Sequence, residues 1–286
     1  VSRSLILDFD QSVRPLPDCD VIDLHRHQET IRFGCSMRAL RRLGREIEPA
    51  FQGRPPVIFM GSGDYHHVSY LLIERLRNLD TKIEVVVFDN HPDNMRYPFG
   101  IHCGSWVSHV SRLPFVTRIH VAGITSHDVE GIHLLENHLA NLYSGRVVYW
   151  CVQRNLRPMR SIGIRKSRSF ASMAELLTAL NAELAQVREP LYLSIDKDVL
   201  SPDVAQTNWD QGVMQLQELT AAIEILRPRV IGSDIVGEVS SYRYRSRWKR
   251  VLSALDRQPA IPPEKLAEWQ SRHQSVNRQL LTLLSP

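Results

Sequence analysis

Residues 85–93 read Val-Val-Val-Phe-Asp-Asn-His-Pro-Asp: an unbroken apolar run that ends in Asp89, His91 and Asp93 at alternate positions. A short run with no polar residue reads as a strand buried on both faces, as in a parallel sheet covered by helices on both sides. Such sheets place ligands outside the carboxyl ends of their strands, where this polar triplet falls. Side chains two apart in extended chain point the same way, so Asp89, His91 and Asp93 can converge on one point. Carboxylate, imidazole and carboxylate suit Mn²⁺, Zn²⁺ or Fe²⁺. The bland alternative is a capped turn with His91 exposed.

Other segments repeat the pattern. Residues 57–60 form an apolar strand followed by Gly61-Ser62-Gly63-Asp64-Tyr65-His66-His67 and then an amphipathic helix over 68–79. Glycine permits the tight turn such a strand exit requires, and it brings His66 or His67 to the sheet edge, unless these histidines only cap and pack. Residues 190–195 are a third buried strand ending in Asp196 and Asp198, with Lys197 between them pointing elsewhere. Residues 230–239 close the series with Asp234 and Glu238. Strands are also expected at 4–10, 21–24, 116–121 and 146–150, and helices at 35–47, 99–110, 132–142, 172–187 and 217–226. Asp8-Phe9-Asp10 superficially resembles a phosphatase nucleophile, but no partner Lys and acidic pair are placed to support it. A helical appendage is expected from about residue 248, with a break at 259–263. No internal repeat or Gly/Ser linker divides the 286 residues, so residues 1–286 are expected to form one domain.

Composition limits the rest. With 43% apolar and 23% charged residues, the chain reads as globular. No apolar run reaches the length of a membrane span, and Asp8 breaks the apolar piece at 5–7, so neither membrane nor secretory leader is expected. The four cysteines (19, 35, 103 and 151) lack C-x-x-C spacing. They read as reduced thiols of a cytoplasmic protein. The net charge of +4 is concentrated at 154–168 and 243–250. These patches lack the aromatic layout of single-strand binders, so no nucleic-acid partner is expected.

Strand ends thus supply one or two histidines, Asp89, His91, Asp93, Asp196, Asp198 and Glu238. Several carboxylates crowded together repel one another unless cations lie between them, which is the inventory of a two-metal site. In order and spacing the four segments resemble the ureohydrolase (arginase/agmatinase/formimidoylglutamase) family. Gly61 to His67 is similar to its Gly-Gly-Asp/Glu-His-Ser motif, residues 89–93 to Asp-Ala-His-x-Asp, 194–198 to Ser-x-Asp-x-Asp, and 234–239 to Asp-Ile-x-Glu-Val with Gly237 inserted.

The resemblance implies an arginase-like three-layer α/β/α sandwich around a parallel sheet, assembled as a homo-oligomer. It implies two Mn²⁺ ions, one held by the first-motif histidine with Asp89, Asp93 and Asp196, the other by His91, Asp89, Asp196 and Asp198. A bridging hydroxide would attack the sp² carbon of a guanidino, amidino or formimino substrate. Asp93 would orient it and pass its proton on, His102 would serve proton transfer or substrate contact, and Glu238 would hold the cationic end. The loops at 94–101 and 201–212 depart from the family, and Arg96 and Trp209 are expected there to receive an anionic or planar end of the substrate. Two alternatives share the fold: a deacetylase-like amide hydrolase using one zinc, and a non-catalytic binding or regulatory protein.

Overall fold

The computed structural model describes residues 3–51, 53, 56–255 and 261–285. Its strands are β1 (Ser4–Asp8), β2 (Cys19–Asp23), β3 (Gly34–Cys35), β4 (Ile58–Phe59), β5 (Ile83–Phe88), β6 (Ile101–His102), β7 (Val116–Ile124), β8 (Val147–Val152), β9 (Arg168–Phe170), β10 (Leu191–Asp196) and β11 (Val230–Val236). Its α-helices are α1 (Gln28–Ile31), α2 (Met37–Ile47), α3 (Ser69–Glu74), α4 (Trp106–Val110), α5 (Leu139–Ser144), α6 (Arg157–Ser161), α7 (Met173–Leu184), α8 (Leu216–Leu226), α9 (Arg247–Leu255) and α10 (Pro263–Leu284).

Nine strands form one sheet in the order β2-β1-β4-β11-β10-β5-β7-β8-β9. Every pairing in it is parallel. The strands β3 and β6 pair separately and antiparallel. Alternation along each strand divides the core between two faces. Val85 and Val87 of β5, with Ile119 and Tyr149, pack towards α2, α3 and α4. Val86 and Phe88, with Leu193 and Ile235, pack towards α7, α8 and α10. The result is a three-layer α/β/α sandwich, as the family resemblance implies, around the parallel sheet that the apolar runs predict.

The long helices are set by their sequences. Ser36 caps α2 by accepting the Ala39 amide, and Leu40, Leu43 and Ile47 form its buried stripe. Ser172 caps α7 in the same way. The expected helices at 68–79, 99–110 and 132–142 are shorter and interrupted. Residues Gly63–Val68 make a 3₁₀ turn before α3. The pairing of β6 with β3 occupies the start of the second, and the third breaks into His133–Glu136 and α5. The first strand ends at Asp8 rather than residue 10. The break expected at 259–263 and the proline pair at 55–56 fall partly outside the described residues. The helix α10 packs on the sheet's second face. Val276, Leu280 and Leu281 are buried in the core beside α8.

Candidate metal centre

The carboxyl ends of β4, β5 and β10 surround a cavity of about 340 Å³ lined by His66, Asp89, His91, Asp93, His102, Asp196, Asp198 and Trp209, among others. The alternation of β5 and β10 carries their terminal acids to this edge. Gly63 allows the 3₁₀ turn to approach, since a Cβ there would stand 2.8 Å from Asp196 Oδ2.

His66 Nδ1 lies 3.2 Å from Asp89 Oδ2, 3.1 Å from Asp93 Oδ2 and 3.4 Å from Asp196 Oδ2. Its other nitrogen is fixed. Tyr192 and Ser69 donate to Asp234, Ser194 Oγ donates to Asp234 Oδ1 at 2.8 Å, and His66 Nε2 is 2.9 Å from that same Ser194 oxygen. A hydroxyl whose proton goes to Asp234 accepts from His66 Nε2, which leaves the Nδ1 lone pair facing the carboxylates. His91 Nδ1 lies 2.8 Å from Asp198 Oδ2, and its Nε2 lies 2.8 Å from Asp210 Oδ1. Asp93, held at a φ of 47°, accepts the Trp106 indole N–H at 2.6 Å.

Two groups result whose ligand atoms lie within 4.8 Å of one another: His66, Asp89 and Asp93, and Asp89, His91 and Asp198. Asp89 belongs to both. His66 Nδ1 and Asp89 Oδ2 are buried with no hydrogen-bond partner, an arrangement that costs free energy unless something else occupies the space between them. Imidazole nitrogens and carboxylate oxygens are the donors a first-row divalent cation takes. The residues therefore fit a pair of such ions.

The electrostatics agree. Burial and the charge of Asp89 push the Asp93 carboxyl up to about 7. Burial, with Asp89 nearby, pushes Asp196 up to about 6. Burial and Asp196 raise Asp198 well above its ordinary value. Burial opposes charge on His66, but the carboxylates of Asp89 and Asp93 outweigh it and raise its pKa well above normal. A proton on His66 and a divalent cation thus compete for one place.

Of five further residues expected at the site, Trp209 and His102 line the cavity, and His67, Arg96 and Glu238 do not. His67 is fully buried but stands outside both groups, and its ring nitrogens make no hydrogen bond. His66 is the first-motif histidine among the carboxylates. Arg96 does not line the cavity. Its amide is bound to the Glu136 carbonyl at 2.8 Å, and its side chain is exposed. Trp209 does line the cavity, stacked on Phe33 with ring centroids 6.3 Å apart. His102 lines it too. Burial pushes its pKa down to about 4, and its Nδ1 accepts the Gly104 amide at 3.0 Å. Glu238 is absent from the lining. It is buried in an ion pair with Lys197 and accepts the Asn277 amide at 2.6 Å. The reason is Gly237. Ile235 and Val236 still alternate between the two layers, but a φ of 87° at Gly237 breaks the alternation and turns Glu238 away.

Sequence reasoning did not single out Asp210, Trp106 or Asn277, and of Lys197 it gave only the direction, away from the acids on either side. Ser194, the first residue of the Ser-x-Asp-x-Asp match, lies two residues before Asp196 on the same face of its strand. The acid of the first segment, Asp64, is 2.7 Å from the buried Arg32, whose Nη1 is 3.4 Å from Asp10. That pairing accounts for Asp10 without phosphatase chemistry.

A profile of the arginase family matches residues 3–247. An uncharacterized protein of Thermotoga maritima is 29% identical over 205 residues, covering 71% of this chain. That match spans 65% of the Thermotoga protein's length. Among solved structures, proclavaminate amidino hydrolase from Streptomyces clavuligerus aligns with a TM-score of 0.53 at 15% identity, covering 97% of this chain and 93% of its own. Arginase from Bacillus subtilis aligns at 0.53 and 14%, covering 94% and 84%. Formimidoylglutamase from Bacillus subtilis aligns at 0.52 and 16%, covering 87% and 68%. At these identities the structural likeness concerns the fold.

Proposed function

Because the chain belongs to the arginase family, we propose that it is a two-metal hydrolase of a linear C–N bond in a guanidino, amidino or formimino compound, with Mn²⁺ as its ion. One observation carries the reading: Asp89 is shared by two neighbouring groups of imidazole and carboxylate donors.

In this reading His66, Asp89, Asp93 and Asp196 hold one ion, and Asp89, His91, Asp196 and Asp198 hold the other. When bound, the pair supplies Lewis acidity that lowers the pKa of water and polarises the substrate's C–N centre. The chain's own groups do the rest. Asp93, fixed by Trp106, holds and passes a proton. His102, neutral near pH 7, lies within the same cavity as a second proton carrier. Trp209 offers a flat wall to a planar group. Among the described residues no Lys or Arg lines the cavity, while Asp128, Glu136 and Asp210 do. This favours a neutral or cationic substrate over an anionic one. Residues 1–286 act as one domain, the protein is a cytoplasmic homo-oligomer, and its partner is the small-molecule substrate. Among the described residues no helix is long and apolar enough to cross a membrane.

The test is a Mn²⁺ titration of dialysed protein by calorimetry, followed by a panel of guanidino and formimino compounds. Uptake of two ions per chain with release of urea, formamide or a related product is expected. Failure to take up Mn²⁺ overturns the reading. The withdrawal of Glu238 favours one rival, a metal-loaded binding protein, and two bound ions with no turnover anywhere in the panel would decide for it.

A further inference from the structure

Lys197 sits between Asp196 and Asp198 in the chain, yet faces the opposite layer and is fully buried. Its Nζ is paired with Glu238 and donates to Asn277 Oδ1 at 2.9 Å. Asn277 donates in turn to Glu238 Oε1, and His273 Nδ1 lies 3.5 Å from Glu238 Oε2. His273 is itself tied to the Gln206 carbonyl at 2.6 Å. Lys197, Glu238, His273 and Asn277 are each at most 1% exposed. Both His273 and Asn277 belong to α10, beyond the stretch that the family profile matches.

The network meets the acidic turn directly. Asp196 Oδ1 accepts the Asp198 amide at 3.0 Å, which closes the turn around Lys197. A Cβ on Gly237 would collide with Asp196 Oδ1 and stand 2.6 Å from the Lys197 amide nitrogen. The segment just past β11 that carries Glu238 therefore runs in close contact with the turn that presents Asp196 and Asp198.

Resting on the two-metal reading, we propose that Glu238 is a positioning residue rather than a substrate clamp. Together with Lys197, Asn277 and His273 it braces the Asp196–Asp198 turn from the far side of the sheet, and α10 is the element that completes the brace. A buried ion pair is retained only where its geometry is fixed by further hydrogen bonds, and Asn277 supplies one to each partner. Groups that orient metal ligands change metal affinity by about 10–100-fold when removed.

The experiment compares Mn²⁺ binding by calorimetry, and the Mn²⁺ paramagnetic resonance spectrum, in the full-length wild type, Glu238→Gln, Asn277→Leu and the milder Asn277→Ser. Far-UV circular dichroism checks that each is folded. The brace predicts that Glu238→Gln and Asn277→Leu both weaken Mn²⁺ binding at least tenfold and alter the resonance spectrum, with Asn277→Ser intermediate. A clamp predicts the reverse: Glu238→Gln raises KM for a cationic guanidine, while Mn²⁺ affinity and both Asn277 variants stay as in the wild type. Unchanged Mn²⁺ affinity in folded variants overturns the brace alone. No Mn²⁺ uptake by the wild type overturns the two-metal reading as well. If none of the variants folds, the network belongs to the stability of the fold, and the proposal also falls.

Discussion

Asp210 shows how a loop residue can matter to a site whose other members sit at strand ends. It is bound to His91 Nε2, and its carbonyl is held by Asn90 Nδ2 at 3.1 Å. That contact leaves His91 Nδ1 free to face Asp198 and Asp89. Asp210→Ala is expected to lower Mn²⁺ affinity by about 10–100-fold, with one ion of the two more affected than the other. Stepwise calorimetric titration checks this, and equal loss at both ions would count against it. His102 allows a pH prediction. Burial holds its pKa near 4, below the ordinary value of about 6.5. The unfolded chain therefore takes up the proton first, so this contribution is complete above about pH 6.5 and is lost as pH falls towards 4. The slope is about 1.4 kcal/mol per pH unit. The difference in urea stability between wild type and His102→Asn should shift by that slope between pH 6.5 and 4.5. A constant difference would mean that the imidazole does not titrate as its burial implies.

Among the elements, β5, β7 and β8 are joined by more than their ladders. His120 Nε2 lies 3.1 Å from Glu84 Oε2, and the Trp150 indole donates to His120 Nδ1 at 3.1 Å. All three side chains are buried. Glu84→Ala removes one end of this chain and leaves His120 without its partner, at an expected cost of about 3 kcal/mol. Chemical denaturation measures it, and a loss under 1 kcal/mol would show that water replaces the carboxylate. The strands were the part of this fold most legible in the sequence, because the apolar runs at 57–60, 85–88 and 191–193 call for burial on both faces. Their terminal acids were legible for the same reason, since a period of two assigns Asp89, Asp196 and Asp198 to one edge. Legibility failed where the period failed. The loop holding Asp210 has no repeat to follow. Arg96 lies in a loop with no period to assign its side chain, which is exposed outside the cavity. Glu238 followed the strand pattern on paper, and one glycine with positive φ reversed it.

For the molecule as a whole, the acids at the cavity repel one another, a source of instability that bound cations would relieve. Asp89, Asp93, Asp196 and Asp198 are all at most 6% exposed. Bound Mn²⁺ at one hundred times its dissociation constant should add about 2.7 kcal/mol per site, because the unfolded chain lacks the site. Thermal denaturation with and without Mn²⁺ reads this as a rise in Tm that grows with ion concentration. A Tm indifferent to Mn²⁺ would mean that the folded chain holds none.

The order of strands also bears on how the chain is made. The strand β11 lies between β4 and β10, so it joins β2-β1-β4 to the larger group from β10 to β9. A ribosome has to deliver residue 236 before the two parts can be sutured, and α10 emerges later still. Until then the nascent protein exposes two raw sheet margins, and pairing across so long a span is slow. Both margins stay open to other strands until β11 has paired with β4 on one side and β10 on the other.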